Sequence, residues 1–293
     1  MMEWTVEQQY EKMILRNYMH KVLNISGNIL KALKFEGGKI LINGRGVDVR
    51  YRLKANDVLT VKFPPEERGF YMQPEDIPLS IVYEDEHILV LDKQPSIVAM
   101  PNPHEPGGTI ANGLIAYYDK NKLPYTVHIV TRLDRDTSGL MLVAKHRYSH
   151  SLLAQEQMKG AIHRSYQAIV YGKLAKKKDT IDMPIGRKPG SFMKREVTSD
   201  GRDAITHYQV LKEEEEFSLV QVVLETGRTH QIRVHFSTIG HPIIGDELYG
   251  SSRANISRQA LHCEKLQFNH PISGKELQFQ CPLPEDMKKL LKK

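Results

Sequence analysis

Cysteine is almost missing from this chain: Cys263 and Cys281 are the only two among 293 residues. Two thiols cannot furnish a four-cysteine zinc site, and so few are sparse for a protein matured in an oxidising compartment. Long apolar runs are missing too. Nowhere do about eighteen apolar residues follow one another, so no membrane-spanning helix is expected. The opening segment, MMEWTVEQQYEKMILRNYMHK, carries acidic residues early and lacks a continuous apolar core, which fits neither a secretory signal nor a transit peptide. The expectation is a soluble, cytoplasmic protein with no membrane partner. There is no Walker loop and no G-x-G-x-x-G after a strand, which argues against a nucleotide cofactor. His146 and His150 have the i, i+4 spacing of helical metal ligands, but no HExxH carboxylate or third ligand accompanies them. No metal site is expected, and the pair is assigned to a polar helix start.

What the chain has in excess is positive charge. Lysine and arginine number 41 against 35 aspartates and glutamates, a net charge of +6, and the sequence pI is near 9.1. That balance suits a polyanionic partner such as nucleic acid. With 40% hydrophobic residues the chain is expected to fold, and its length suits a medium domain plus a small one.

From Met13 to Lys34 apolar residues recur at steps of three and four around a break at Asn24 to Gly27, which reads as two short helices. GGKILINGRGVDVRYRLKANDVLTVKF follows, with Asn43-Gly44 as a hairpin turn and Ala55 to Asp57 as a second turn before Val58 to Phe63. These elements form a small α+β module over residues 1–68. Proline and polar residues then mark a linker, placed at 69–78, and a second domain spans 79–293. It opens with strands SIVYEDE and HILVLDK. Thr109 is expected to cap a helix that buries Ile110, Leu114, Ile115 and Tyr118. LMLVAK reads as a central buried strand, SHSLLAQEQMKG as a helix stopped by Gly160, and SYQAIVYG, AITHYQVLK and SLVQVVLET as further strands. RTHQIRVHFSTIG reads as a helix ended by Gly240. The order is not a regular β-α alternation, so the fold class is α+β, with a mixed, largely antiparallel sheet flanked by helices.

Three clusters carry the chemistry: TRLDRDTSGL at 131–140, HRSYQAIVYG at 163–172, and ETGRTHQIRVHFSTIGHPIIGDELYG at 225–250. An aspartate in a Ser/Thr/Gly-rich loop usually caps its own turn, and composition cannot rank Asp134 against Asp136. The clusters together resemble the RluA-type pseudouridine synthases, whose pattern holds an RLD-x-x-TSG loop and a later GRTHQIR segment. The likeness continues through YEDEHILVLDKQP and RQALHCEKLQFNHPISGKELQFQCPLP, nearly all of 79–284. It implies the pseudouridine synthase catalytic fold and an isomerase that turns uridine into pseudouridine within RNA.

That isomerisation breaks a carbon–nitrogen bond to ribose, turns the uracil and rejoins it through carbon five, with no net redox change. One ionised carboxylate can add to the sugar or remove a proton from it, so no cofactor is required. The resemblance puts that carboxylate at Asp134 and leaves Asp136 as a capping residue. It pairs Arg233 with the aspartate, which would orient the charge and keep it ionised, and sets Tyr166 against the target base for stacking or proton transfer. Arg132 would fill the space of a flipped nucleotide, and Arg228 and His230 of GRTHQIR would contact substrate. The family's histidine before RLD is here Thr131, and its H-P pair is Met100-Pro101; both departures bear on substrate contacts more than on the reaction.

The first module is similar to the small S-four-like RNA-binding domain attached to many of these enzymes. Lys31, Lys34, Lys39, Arg45, Arg50 and Arg52 are its candidate phosphate contacts, the alternative being a solvated basic face. A second basic region covers Lys173 to Lys178 and Arg187 to Arg195. The resemblance implies RNA as partner, ribosomal ahead of transfer RNA, and a monomer is expected. The competing readings are a non-catalytic RNA-binding or ribosome-assembly protein, which would be free to lose Asp134, Tyr166 and Arg233, and a glycosidase, for which adjacent Asp134 and Asp136 are badly placed.

Overall fold

A computed structural model describes residues 1–252 and 256–292. The first part holds β1 (Met2–Thr5), α1 (Leu15–Lys21), α2 (Gly27–Phe35), β2 (Lys39–Ile42), β3 (Arg45–Gly46) and β4 (Val58–Lys62). Its sheet runs β1-β4-β2-β3. The β2–β3 turn falls on Asn43 and Gly44, both at positive φ (49° and 77°), as a hairpin that follows the right-handed strand twist requires. Strand β1 was not foreseen. Its four residues, MEWT, bury neither face fully, so alternation is weak, yet they pair along β4 from Val58 to Val61.

The remainder contains β5 (Ile81–Glu84), β6 (Ile88–Lys93), α3 (Ile110–Lys120), β7 (His128–Ile129), β8 (Ser138–Ala144), α4 (Arg147–Met158), β9 (His163–Tyr171), β10 (Lys178–Asp182), β11 (Ile185–Arg187), β12 (Arg195–Val197), β13 (Ile205–Glu213), β14 (Phe217–Leu224), α5 (Gln231–Thr238), β15 (Leu261–Asn269), β16 (Glu276–Gln280) and α6 (Glu285–Leu290). The main sheet has ten strands in the order β10-β13-β14-β9-β15-β8-β6-β5, with β16 added beside β15 and β7 beside β8. Its pairings are antiparallel except β15 with β8, which run parallel with His262 opposite Ser138 and Cys263 opposite Gly139. The fold is therefore α+β with a mixed, largely antiparallel sheet. All seven residues of β8 are buried, as a strand covered on both faces must be; each large side chain there contributes about 1.5–3 kcal/mol. Thr109 caps α3 in a reciprocal box with Asn112. Hairpin β11–β12 packs Ile185 and Val197 on Val234 of α5.

The apolar interior falls into two main clusters, one built on β6, β8, β9, β15 and α3, the other within the first part. Tyr148 of α4 belongs to the second cluster and donates its hydroxyl to Leu23 O at 2.6 Å. The connector read at 69–78, and Arg68 just before it, are held to the second part at several points. Asn112 Nδ2 donates to Tyr71 O and Gln73 O at 2.9 and 2.8 Å, Glu75 accepts the Gly108 N–H, and Arg68 pairs with Asp119 at 2.7 Å. Proline and charge stop it forming regular structure without setting it loose. Among the described residues no helix is long and apolar enough to cross a membrane.

Candidate active site

Asp134 lies on the loop between β7 and β8, and buried groups hold that loop from several sides. Thr131 Oγ1 accepts the Leu142 N–H at 2.8 Å, and the Thr137 N–H turns back to Asp134 O at 3.1 Å. Lys93, at the end of β6, spends its ammonium on the carbonyls of Gln94, Ile97 and Arg135 at 2.8–2.9 Å. Burial lowers its pKa to about 8, and the nearby Asp136 and Asp134 act in the opposite sense. Gln259 reaches Thr137 Oγ1 at 3.2 Å, and Arg258 reaches Asp136 O at 3.3 Å. The loop that carries Asp134 is thus held by the fold, the arrangement precise chemistry calls for.

Arg233 meets Asp134 from α5. Its Nη1 donates to Asp134 Oδ2 at 3.0 Å, while Nε and Nη2 grip Asp246 at 2.7 and 2.9 Å. The Tyr249 ring lies under the guanidinium, 5.1 Å from its centroid, a cation–π contact. Burial disfavours the charge on Arg233, but hydrogen bonds and attraction from Asp246 and then Asp134 outweigh it and raise its pKa. The side chains of Arg233 and Asp246 are 8% and 1% exposed, whereas that of Asp134 is 28% exposed. The acid alone of the three faces outward.

The helix carrying Arg233 starts later than the sequence suggested. His230 adopts a left-handed conformation, φ 60°, and α5 begins at Gln231. Gln231 explains the break: its Oε1 accepts from the Arg228 N–H and the Thr226 hydroxyl, and its Nε2 donates to Ile205 O and Thr206 Oγ1. The glutamine of GRTHQIR is therefore an internal clasp between the loop and β13. It turns His230 inward, to 3.9 Å from Asp134 Oδ2. Burial lowers the His230 pKa; Asp134 opposes the shift and Arg233 adds to it.

Tyr166 stands on β9 with 4% exposure. Its hydroxyl accepts from Arg164 Nη1 at 3.3 Å. Burial pushes the phenol's pKa up, so at neutral pH it is a proton donor and not a resting phenolate. Asp134 is among the charges that act on it. Arg132 is exposed and makes no hydrogen bond or ion pair with the described residues. Arg228 directs Nε to Asp203 O at 2.9 Å and takes no part in the contacts around Asp134. Lys31, Lys34, Lys39, Arg45, Arg50 and Arg52 are all exposed on the first part; Arg50 pairs with Asp48 at 2.9 Å. Asp246, Tyr249, Lys93 and Arg164 were missed by sequence reasoning. Asp246 and Tyr249 sit in GDELYG, and nothing in local spacing ties that turn to an arginine on the preceding helix.

Among the described residues no group of three or more His, Cys, Asp or Glu is placed to hold a metal. His146 Nδ1 accepts the Ser149 N–H at the start of α4, and the His150 ring stacks on His128.

Residues 87–238 match the RNA pseudouridylate synthase family. The uncharacterized RNA pseudouridine synthase YjbO of Bacillus subtilis (strain 168) is 51% identical over 270 residues, covering 92% of this chain and 95% of that protein. The ribosomal large subunit pseudouridine synthase D of Escherichia coli (strain K12) is 37% identical over 268 residues, 86% of this chain and 82% of that one. Among solved structures, human RNA pseudouridylate synthase domain containing 1 superposes with a TM-score of 0.58 at 23% identity, covering 78% of this chain and 96% of that one, a likeness of fold. The chain belongs to the RNA pseudouridine synthase family, of the RluA type, and is accordingly an isomerase.

Proposed function

We propose that this enzyme isomerises specific uridines in structured RNA, ribosomal RNA ahead of transfer RNA, with Asp134 as its catalytic carboxylate and without a cofactor. The observation that carries this reading is the 3.0 Å pair between a buried arginine and a partly exposed aspartate. The name of the Escherichia coli relative, which places that protein's action on the large ribosomal subunit, supports the choice of RNA.

The reaction breaks the C1′–N1 bond and makes a C1′–C5 bond, and the hydrogen of C5 leaves to solvent as N1 gains one. Asp134 either attacks C1′ or takes the proton from C2′, and both routes need an ionised carboxylate. Arg233 holds it in a fixed orientation. Tyr166, protonated and buried, donates to the uracil and packs on it. Arg132, with no hydrogen-bond or ion-pair partner among the described residues, takes the gap left by the extruded nucleotide, and His230 and Arg228 line the approach. Residues 1–68 act as an S-four-like RNA-binding module, with Lys31, Lys34, Lys39, Arg45, Arg50 and Arg52 toward phosphates, ahead of the connector at 69–78 and the catalytic domain at 79–293. The enzyme works as a cytoplasmic monomer.

The test is tritium release from RNA labelled at carbon five of uracil. Wild type releases tritium and Asp134→Asn does not, while keeping its affinity for RNA. Binding without release by the wild-type chain would assign it to non-catalytic RNA binding instead.

A further inference from the structure

Tyr249 lies where three interactions around Asp134 converge. Its hydroxyl oxygen accepts the Arg195 N–H at 2.9 Å and stands 2.9 Å from His230 Nδ1, and its ring supports Arg233. A phenol has one proton to give. With the Arg195 N–H on its oxygen, the acceptor placed for that proton among the described residues is His230 Nδ1. A neutral imidazole that accepts at Nδ1 carries its hydrogen on Nε2.

Nε2 is the nitrogen 3.9 Å from Asp134 Oδ2. Electrostatics select the same tautomer, because a lone pair aimed at a carboxylate is repelled and an N–H is attracted. The charged groups acting on His230 are Asp134 from the catalytic loop, Arg233 from α5, Asp246 from the turn after it and Arg195 from β12. Burial lowers the imidazole's pKa, consistent with a neutral ring at pH 7. The left-handed backbone at His230 is a conformation that costs a non-glycine residue about 1–3 kcal/mol, and here it delivers the ring to this position.

We propose that Tyr249 is a positioning residue for the isomerisation: its hydroxyl fixes His230 in the Nε2–H form, so that this dipole and the Arg233 guanidinium address one oxygen of Asp134. Both point to Oδ2, and Oδ1, which has no hydrogen-bond or ion-pair partner among the described residues, is the oxygen that meets the ribose. The inference rests on Asp134 being the catalytic carboxylate. It also ties the site to hairpin β11–β12, since the N–H that occupies the Tyr249 oxygen belongs to the first residue of β12.

Nitrogen-15 correlation spectra of the full-length, RNA-free protein report the tautomer, and tritium release reports catalysis. Wild type shows His230 as Nε2–H. Tyr249→Phe keeps the ring against Arg233 yet yields mixed tautomers and a kcat lower by about 10-fold, with KM within about twofold. In a His230→Gln background, where an amide N–H stands in for Nε2–H without help from position 249, Tyr249→Phe changes kcat by less than about twofold. A wild-type Nδ1–H tautomer, an unchanged kcat in Tyr249→Phe, or an equal loss in both backgrounds overturns the proposal. Asp134→Asn run alongside separates the two readings: an inactive Asp134→Asn beside a fully active Tyr249→Phe removes only the role of Tyr249, whereas an active Asp134→Asn removes the catalytic assignment.

Discussion

Arg233 divides one guanidinium between two carboxylates, two nitrogens on buried Asp246 and a single nitrogen on Asp134. Asp246 makes the arginine an anchored donor, so its remaining nitrogen reaches Asp134 in a fixed orientation. Removing one partner of a buried pair strands the other charge, at about 3–5 kcal/mol. Asp246→Ala is therefore expected to lower the urea midpoint strongly and to reduce tritium release. Arg233→Lys, whose point charge cannot span both carboxylates, should lose at least about 100-fold in kcat. Near-normal stability in Asp246→Ala would show that Arg233 is held some other way.

Gly139 has no room for a side chain. It sits at φ 110°, and a Cβ there would run into the carbonyl of Cys263 across the parallel β8–β15 pairing. Gly139→Ala combines backbone strain with a clash against main chain, and we expect destabilisation of more than about 3 kcal/mol. A soluble variant melting within a few degrees of wild type by calorimetry refutes this account of the glycine.

Acid should weaken the fold through two histidines. Burial lowers the pKa of His146 and of His262 to about 4. Between about pH 6.5 and pH 4 the unfolded chain binds protons that the native chain refuses, so stability present above pH 6.5 is lost as pH falls toward 4. Each histidine contributes at most about 1.4 kcal/mol per pH unit. His146→Asn retains an acceptor for the Ser149 N–H and removes one titration. Its urea midpoint should decline less steeply with acid than that of wild type; parallel declines would count against a neutral His146.

The exposed lysines of the first part offer an electrostatic test. Lys31, Lys34 and Lys39 touch no core, so replacing all three with glutamine should shift stability by no more than about 0.5 kcal/mol. If they meet phosphates, the slope of log affinity for RNA against log salt falls by about 0.7–0.9 for each phosphate no longer neutralised. An unchanged slope assigns them to a solvated face.

Much of the architecture was legible because strong local signals stood alone: Asn43-Gly44 for a hairpin, Thr109 before a periodic apolar face, and LMLVAK for a strand covered on both sides. The Asp134–Arg233 pairing entered through family resemblance, since no local pattern links residues 99 positions apart. What stayed hidden depends on tertiary contacts. The start of α5 was misplaced because Gln231 trades helical continuation for four hydrogen bonds to its surroundings. The anchors of the connector were not legible because Asn112 and Arg68 are polar residues whose partners are backbone carbonyls and a distant aspartate.

The place of β15 in the main sheet bears on how the enzyme is made. It lies between β9 and β8; take it away, and β5, β6, β7 and β8 form one set of neighbours while β9, β14, β13 and β10 form another. The acid sits on the first set and the arginine follows the second. During synthesis no strand joins these two sets until residues 261–269 have emerged, so the pairing that makes one sheet of the acid's side and the arginine's side is among the last to form.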